Sequence, residues 1–214
     1  MKTCPKTTRL ALSTAILATT FCSLPSVYAQ GLSIEEVIVT AQRREQSLQD
    51  VPIAVSAFTE AHLNESSINF VTDLMAYTPG LTGARQGVGV TQFAIRGVSS
   101  NSFGVGGDNS VGIFVDDVYA GRSTIAGLPF IDVARVEVLK GPQCTLFGRN
   151  TSAGAISITS NKPDNDRSLS INQTVAQYNS HKTIATFNTP LIDDTLMLRG
   201  SLVYEDSDGA IENS

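Results

Sequence analysis

Apolar and polar residues alternate in short runs through much of the chain between residues 51 and 160. The period of two in these runs predicts β-strands, each bounded by Gly, Pro, Asn, Asp or Ser. One of the runs is interrupted by the adjacent acids Asp116 and Asp117, so it predicts a hairpin that turns there. The predicted strands are Val51–Phe58, Phe93–Gly97, Val111–Tyr119, Val136–Leu139 and Ala155–Ile158.

Two short helices are predicted between the first and second of these strands. Thr59 is placed to cap a helix that runs through Leu63, and Asn69 to cap a second one that runs through Met75. Gly, Ser and Asn accumulate without periodicity at Gly87–Gly89 and Ser99–Gly107, which predicts loops. The pattern up to Pro163 therefore predicts a domain of mixed short strands and helices.

Longer alternating runs follow Pro163. Leu169, Ile171 and Val175 share one face of a run of about ten residues, a length that suits a tilted membrane strand. After a turn around Asn179 to His181, two further runs are predicted at Thr183–Leu191 and Leu196–Tyr204; in the last, Arg199 and Ser201 lie opposite the apolar face. A barrel wall has this pattern, and so does a soluble β-sandwich.

The N-terminus has the three parts of an export signal. Lys2, Lys6 and Arg9 form a basic region, Leu10–Leu24 an apolar region, and Val27–Ala29 a cleavage site before Gln30. The apolar run is shorter than the ~20 residues of a spanning helix and is interrupted by Thr and Ser. The sequence therefore predicts a signal peptide over residues 1–29 rather than a retained anchor.

Composition and charge narrow the class of protein. With 42% hydrophobic and 16% charged residues, the chain is globular rather than disordered. Removing the three basic residues of the signal from the 15 in the chain leaves 12 against 20 acidic residues, which disfavours nucleic acid as a partner. Cys4 and Cys22 belong to the signal, so Cys144 remains without a partner for an intrachain disulfide.

The stretch from Arg135 to Pro163 contains Val-Glu-Val-Leu-Lys-Gly-Pro-Gln-Cys-Thr-Leu-Phe-Gly, then Gly-Ala-Ile, then Lys-Pro. It resembles the C-terminal half of the plug domain of TonB-dependent outer-membrane receptors, and Asp50–Phe58 and Thr72–Leu81 resemble the same family. Cys144 departs from the usual Gly or Ala; we expect it to begin a short helix and to pack as a small hydrophobe, although a positive φ is the alternative. The resemblance implies structural roles for Arg96, Gly97, Asp116, Val136, Glu137, Val138, Lys140, Gly141, Pro142, Gly148 and Gly154.

A second resemblance concerns the start of the mature chain. The string Glu-Glu-Val-Ile-Val-Thr-Ala resembles the TonB box of the same family and is followed by a charged segment. A short β-prone segment can add to the sheet edge of a partner through main-chain hydrogen bonds. The alternative is that these residues are the first strand of the folded domain. The predicted TonB-binding residues are Glu35, Glu36, Val37, Ile38, Val39, Thr40 and Ala41.

Together these features predict a signal peptide (1–29), a TonB box and linker (30–49), an α+β plug domain (50–163) and the first antiparallel strands of an incomplete transmembrane β-barrel (164–214). Because the last segment has room for roughly three strands and the family barrel has about 22, we expect a partial receptor. The resemblance implies uptake of a scarce ligand such as a ferric siderophore, with the TonB C-terminal domain and outer-membrane lipid as partners. A free periplasmic plug-like binding module and, less favoured, a secreted β-rich enzyme are the alternatives.

The residues indicate no catalytic or metal chemistry, and no cofactor is expected. Gly104–Ser110 lacks the glycine spacing of a phosphate-binding loop and the Gly-Lys-Ser/Thr ending. His62 and His181 are far apart and have no metal-ligand spacing. The acid pairs Asp116–Asp117 and Asp193–Asp194 coincide with predicted turns, where Asp is common for its backbone-bonding side chain.

Overall fold

The computed structural model describes residues 38–40, 44, 46–87, 90–100, 108–177 and 179–208, all within one compact unit that spans residues 36–214. The predicted signal, the box residues Glu35, Glu36, Val37 and Ala41, and most of the predicted loops at 87–89 and 99–107 lie outside the described residues. The strands are β1 Ile38–Val39, β2 Gln46–Ser47, β3 Ala54–Thr59, β4 Leu81–Gly87, β5 Val90–Ile95, β6 Val111–Val115, β7 Val118–Tyr119, β8 Val133–Lys140, β9 Gly154–Ser160, β10 Ser168–Ala176, β11 Ser180–Ile192 and β12 Leu196–Asp206.

The helices are short. Helix α1 is Glu60–Glu65, α2 is Leu74–Tyr77, α3 is Cys144–Phe147, and a 3-10 helix covers Ser123–Gly127. The predicted cap at Thr59 is confirmed, because its side chain accepts a hydrogen bond from the His62 N–H at 3.4 Å. The predicted cap at Asn69 is wrong: α2 begins after Asp73, whose carboxylate accepts the N–H groups of Asn69 and Phe70 and so organises the turn before the helix.

A five-stranded sheet in the order β3-β8-β9-β6-β7 forms the centre of the domain, and we call it the central sheet. Its pairs are antiparallel except for β9 with β6, which run parallel. Because side chains alternate across a strand, Val136 and Val138 of β8 join an apolar cluster on one face, together with Leu74 and Ile156. Leu139 points to the other face and joins a second, smaller cluster. The sheet is therefore covered on both sides.

Some residues that the sequence pattern predicted to be in strands lie in turns. Strand β5 ends at Ile95, and Arg96 and Gly97 follow with φ of +54° and +78°, so the predicted strand Phe93–Gly97 is too long by two residues. The predicted hairpin at Asp116–Asp117 is confirmed: both residues have positive φ, +47° and +65°, as the two-residue turns that match strand twist require.

Strands β10, β11 and β12 form a separate antiparallel sheet, which we call the C-terminal sheet. The predicted alternation is confirmed, since Leu169, Ile171, Leu202 and Tyr204 are 64–72% exposed on one face. On that face the ring of Phe187 lies over Gly200. An apolar outward face on strands of about ten residues is typical of a barrel wall. No helix within the described ranges is long and apolar enough to cross a membrane.

Candidate functional site: the N-terminal strand and the signature residues

The described part of the predicted TonB box is a short strand docked on the domain. Ile38 and Val39 pair antiparallel with Ser47 and Gln46 in a two-stranded ribbon. Val39 is fully buried, whereas Ile38 is half exposed. The Val39 side chain belongs to the second apolar cluster, which also contains Leu139 and Phe147 of the signature stretch. The strand thus covers the second face of the central sheet.

Hydrogen bonds hold the residue that follows this strand. Thr40 donates its backbone N–H to Glu137 Oε1 at 2.7 Å, and its hydroxyl lies 3.2 Å from the same oxygen. Arg135 donates from Nε to that oxygen at 2.9 Å and from Nη2 to the Thr40 hydroxyl at 3.1 Å. Three residues therefore form one closed network between the start of the chain and β8.

Glu137 is the centre of this network. Its side chain is fully buried, and Arg135 is its ion-pair partner at 2.9 Å. Among the described residues its second oxygen, Oε2, has no hydrogen-bond partner. A buried carboxylate needs paired charge and donors, because an isolated one is strongly disfavoured in an apolar environment. Thr40 is thus more than a packing neighbour: its two donors help to satisfy Glu137.

A polar groove of about 410 Å³ lies next to Thr40. Residues of both negative and positive charge line it: the acids Asp116 and Asp117 and the bases Arg135 and Lys162. Within the described ranges no three His, Cys, Asp or Glu residues are placed to hold a metal ion. The geometry of this region offers hydrogen-bond and charge contacts to a polar surface.

Several signature residues lie near the C-terminal end of β8, the end opposite Arg135. Lys140 ends β8, and the Arg96 guanidinium lies next to Gly141, 3.7 Å from where a Cβ would stand. Arg96 donates its backbone N–H to Gly80 at 2.8 Å. Burial lowers the pKa of Lys140, and the nearby charge of Arg96 lowers it further. Two cations are therefore held close together at this end of the sheet.

The remaining signature residues shape turns and the core. Asp116 accepts hydrogen bonds from the Ser160 N–H and hydroxyl, both at 2.8 Å, and so joins the ends of β6 and β9. Pro142 is exposed before α3, and Gly148 ends that helix with φ of +80°. Gly154 has φ of +153°, and a Cβ there would stand 2.3 Å from the Leu139 carbonyl oxygen. Only glycine fits that close approach of two strands.

Three residues in these contacts were absent from the predicted set: Arg135, Asp132 and Asn161. Arg135 supports Glu137, while Asp132 and Asn161 join the start of β8 to the end of β9 through a backbone hydrogen bond of 2.9 Å. A local pattern gives no sign of these roles, because Arg135 also bonds Thr40, 95 positions away, and Asp132 and Asn161 are 29 positions apart. Cys144 begins α3 as predicted, but its side chain is exposed, so the predicted apolar packing of the thiol is wrong.

Residues 47–155, about half of the chain, match the family described as TonB-dependent Receptor Plug Domain. The chain belongs to this family. The matched segment begins at Ser47 in β2, includes strands β3, β6, β7 and β8 of the central sheet in full, and ends at Ala155, the second residue of β9. The plug is therefore an α+β domain followed by antiparallel strands that, in the described residues, form an open sheet.

Relatives of known identity agree with this assignment. Over 152 residues the chain is 28% identical to the vitamin B12 transporter BtuB of Vibrio vulnificus, covering 70% of this chain and 24% of the transporter. In fold it is similar to the ferric yersiniabactin uptake receptor FyuA of Yersinia pestis (TM-score 0.65, 24% identity, 71% of this chain and 24% of FyuA). It is also similar to the ferripyoverdine receptor of Pseudomonas aeruginosa (TM-score 0.67, 18% identity, 80% and 22%). The chain spans about a quarter of the length of these relatives.

Proposed function

We propose that this chain is the N-terminal part of an outer-membrane receptor that takes up a scarce nutrient, a ferric siderophore complex, with energy supplied through TonB. The plug faces the periplasm in this proposal, and residues 164–214 begin the barrel. The protein carries its ligand without covalent chemistry. The observation that carries the proposal is the plug match over residues 47–155 directly after a short strand that resembles the TonB box.

The proposed partner of that strand is the TonB C-terminal domain. Residues 37–41 would add to the edge of its sheet through main-chain hydrogen bonds, with alternate side chains giving specificity. In the structure the main chain of Ile38 and Val39 is paired with β2, and the Thr40 N–H is donated to Glu137. The same groups cannot serve both partners. Binding of TonB therefore requires the strand to leave the plug.

The contacts of Val39 and Thr40 give an estimate of the free energy needed to release the N-terminal strand from the plug. Fully burying a Val side chain is worth about 1.5–3 kcal/mol, and a hydrogen bond to a charged group about 1.5–3 kcal/mol. Val39 and Thr40 supply one contact of each kind, so release costs on the order of 3–6 kcal/mol if the two simply add. A ligand that weakens these contacts from the other side of the plug would increase the population of the released strand.

The uptake test compares nutrients of different chemistry. The protein, expressed from its native reading frame in a strain that lacks its own receptors, is expected to support uptake of labelled ferric siderophores. Deleting residues 35–41 should abolish uptake while leaving the receptor in the outer membrane. If the protein took up cobalamin and no ferric siderophore, the proposed nutrient class would be wrong, but the proposed uptake function would stand. Uptake that is indifferent to the deletion would overturn the dependence on TonB.

A matched pair of variants at one position tests the strand itself. Val39→Pro removes a backbone donor and restricts φ, so capture of the protein by the TonB C-terminal domain should be lost. Val39→Ala keeps the backbone donor and removes about two buried methylenes, worth roughly 1.6 kcal/mol, so capture should persist or strengthen. Equal capture of both variants would show that residues 37–41 do not bind as an added strand.

A further inference from the structure

One charged pair joins Asp132, the residue just before β8, to the C-terminal sheet. Arg199 of β12 donates from Nε to Asp132 Oδ2 at 2.8 Å and from Nη2 to Oδ1 at 2.6 Å. Two planar groups that meet through two parallel hydrogen bonds are fixed in orientation as well as distance. Ser201, two residues further along the same face of β12, donates its hydroxyl to Asp132 at 3.1 Å. Asp132 thus receives three donors from one strand.

On the plug side Asp132 is itself held in place. Asn161 donates its side-chain amide to the Asp132 carboxylate at 3.0 Å and its backbone N–H to the Asp132 carbonyl at 2.9 Å. The same amide reaches Glu60 at the start of α1 at 3.2 Å. Asp132 has φ of +52°, a conformation that non-glycine residues adopt only when surrounding contacts favour it. The carboxylate is therefore presented from a fixed point where β8 begins and β9 ends.

Apolar packing contributes little between the two sheets. No described residue of β10, β11 or β12 belongs to either apolar cluster. Between the plug and the C-terminal sheet lies a cavity of about 130 Å³, to which the C-terminal sheet contributes Ser170, Asn172, Thr186 and Arg199 among others. Two further contacts among the described residues are weaker or local. The Lys182 ammonium lies 6.0 Å from the Phe70 ring centroid, and the Asn188 side-chain amide donates to the Asp164 carbonyl in the connecting segment at 3.2 Å.

We propose that Asp132 and Arg199 form the anchor that fixes the β8–β9 end of the plug to the barrel wall, with Asn161 as the residue that positions Asp132. The anchor is polar and lies beside a polar cavity, so it holds a defined position without the continuous apolar contact that would merge plug and wall into one core. Strand β8 and the residue just before it then carry two separate attachments: Glu137 of β8 holds the N-terminal strand, and Asp132 holds the wall. The proposal depends on the family fold and not on the nutrient or on TonB binding, so its failure would leave the proposed function standing.

Hydrogen exchange on the protein, expressed from its native reading frame in the outer membrane and purified in detergent, tests the anchor. Asp132→Asn and Arg199→Gln are each expected to speed exchange in plug segments 128–134 and 159–163 by about tenfold or more, because losing the anchor allows local opening. The double variant should exchange no faster than the single variants, since both remove one interaction. Ser201→Ala should have a smaller effect in the same segments.

Matched controls make the same change of charge at residues that take no part in the anchor. Asp117→Asn alters another plug acid with positive φ, and Arg149→Gln alters an exposed arginine outside the anchor; neither should change exchange in these segments. Exchange in segment 135–140 should remain slow in every variant, which shows that the central sheet is folded. If the Arg199→Gln variant exchanged at the wild-type rate in these segments, the proposed anchor would be wrong, and Asp132 would serve only contacts within the plug. Effects of the two substitutions that simply multiply in the double variant would also overturn it.

Discussion

The backbone N–H of Thr40 is 2.7 Å from Oε1 of Glu137, across 97 positions of sequence. This contact joins the first described residues of the chain to the strand that carries the plug signature. A buried acid in the middle of β8 thus has a specific partner, and that partner belongs to the segment proposed to bind TonB. The arrangement makes the availability of the N-terminal strand depend on the interior of the plug.

Replacing Glu137 should release the strand. Glu137→Ala removes the acceptor of Thr40, and a hydrogen bond to a charged group is worth about 1.5–3 kcal/mol, so capture by the TonB C-terminal domain should tighten by roughly 10- to 100-fold. Trypsin should also cut faster between residues 41 and 45. Thr40→Val, which removes only the hydroxyl, should give a smaller change in both assays.

Glu65→Ala, at an exposed acid of α1, is the control for this substitution and should leave both assays unchanged. Circular dichroism must show that Glu137→Ala keeps its strands, because the change leaves Arg135 without its ion-pair partner. Wild-type cleavage and capture in a folded Glu137→Ala protein would mean that burial of Val39 alone holds the strand.

Gly154 is expected to be among the least replaceable positions of the plug. A Cβ at Gly154 would stand 2.3 Å from the Leu139 carbonyl oxygen, and its φ is +153°. Overpacking and backbone strain each cost about 1–3 kcal/mol, so Gly154→Ala should lower the unfolding free energy by roughly 3 kcal/mol or more. Gly97→Ala has positive φ with no atom within 4 Å, so it should lose only about 1–2 kcal/mol. Denaturant midpoints for the two variants measure this difference, and equal losses would contradict it.

The contribution of Asp132 to the unfolding free energy should depend on pH. Hydrogen bonding to Arg199 lowers the pKa of Asp132; burial opposes this shift, and Asn161 and Ser201 add to it. A lowered folded-state pKa gives stability that is fully present above the unfolded value of about 3.9 and is lost as the pH falls through the folded value. The difference in unfolding free energy between wild type and Asp132→Asn should be constant from about pH 5 to 7 and shrink below about pH 4. A difference that persists unchanged at pH 2.5 would rule out the carboxylate as its source.

Cys144 should be accessible and dispensable. Its thiol is exposed at the start of α3, so a maleimide should label it in the folded protein as fast as in the unfolded chain. Cys144→Ala should be neutral within about 0.5 kcal/mol, whereas Cys144→Gly should lose about 0.5–1 kcal/mol through the entropy of the unfolded chain. A higher midpoint for the Gly variant than for the Ala variant would contradict the helical backbone at this position.

Local chemistry accounts for what could be predicted directly. The turn at Asp116–Asp117 and the cap at Thr59 depend on backbone preferences of neighbouring residues, and both are confirmed. The cap at Asn69 failed because two candidates lay four residues apart, and Asp73 accepts the N–H of both Asn69 and Phe70. Such competition is decided by the path of the chain into the core, which a local pattern does not contain.

The sequence by itself determined the strand periodicity, the family through the Val-Glu-Val-Leu-Lys-Gly-Pro stretch, and the apolar face of the C-terminal strands. Those properties are carried by residues adjacent in sequence or two apart, so a linear chain displays them. Only the tertiary structure decided that Val39 is buried, that Glu137 bonds Thr40 and that Asp132 bonds Arg199. Each of these depends on segments brought together across 67 to 97 or more positions by sheet pairing and burial, and the same polar residues would be solvated surface in another fold.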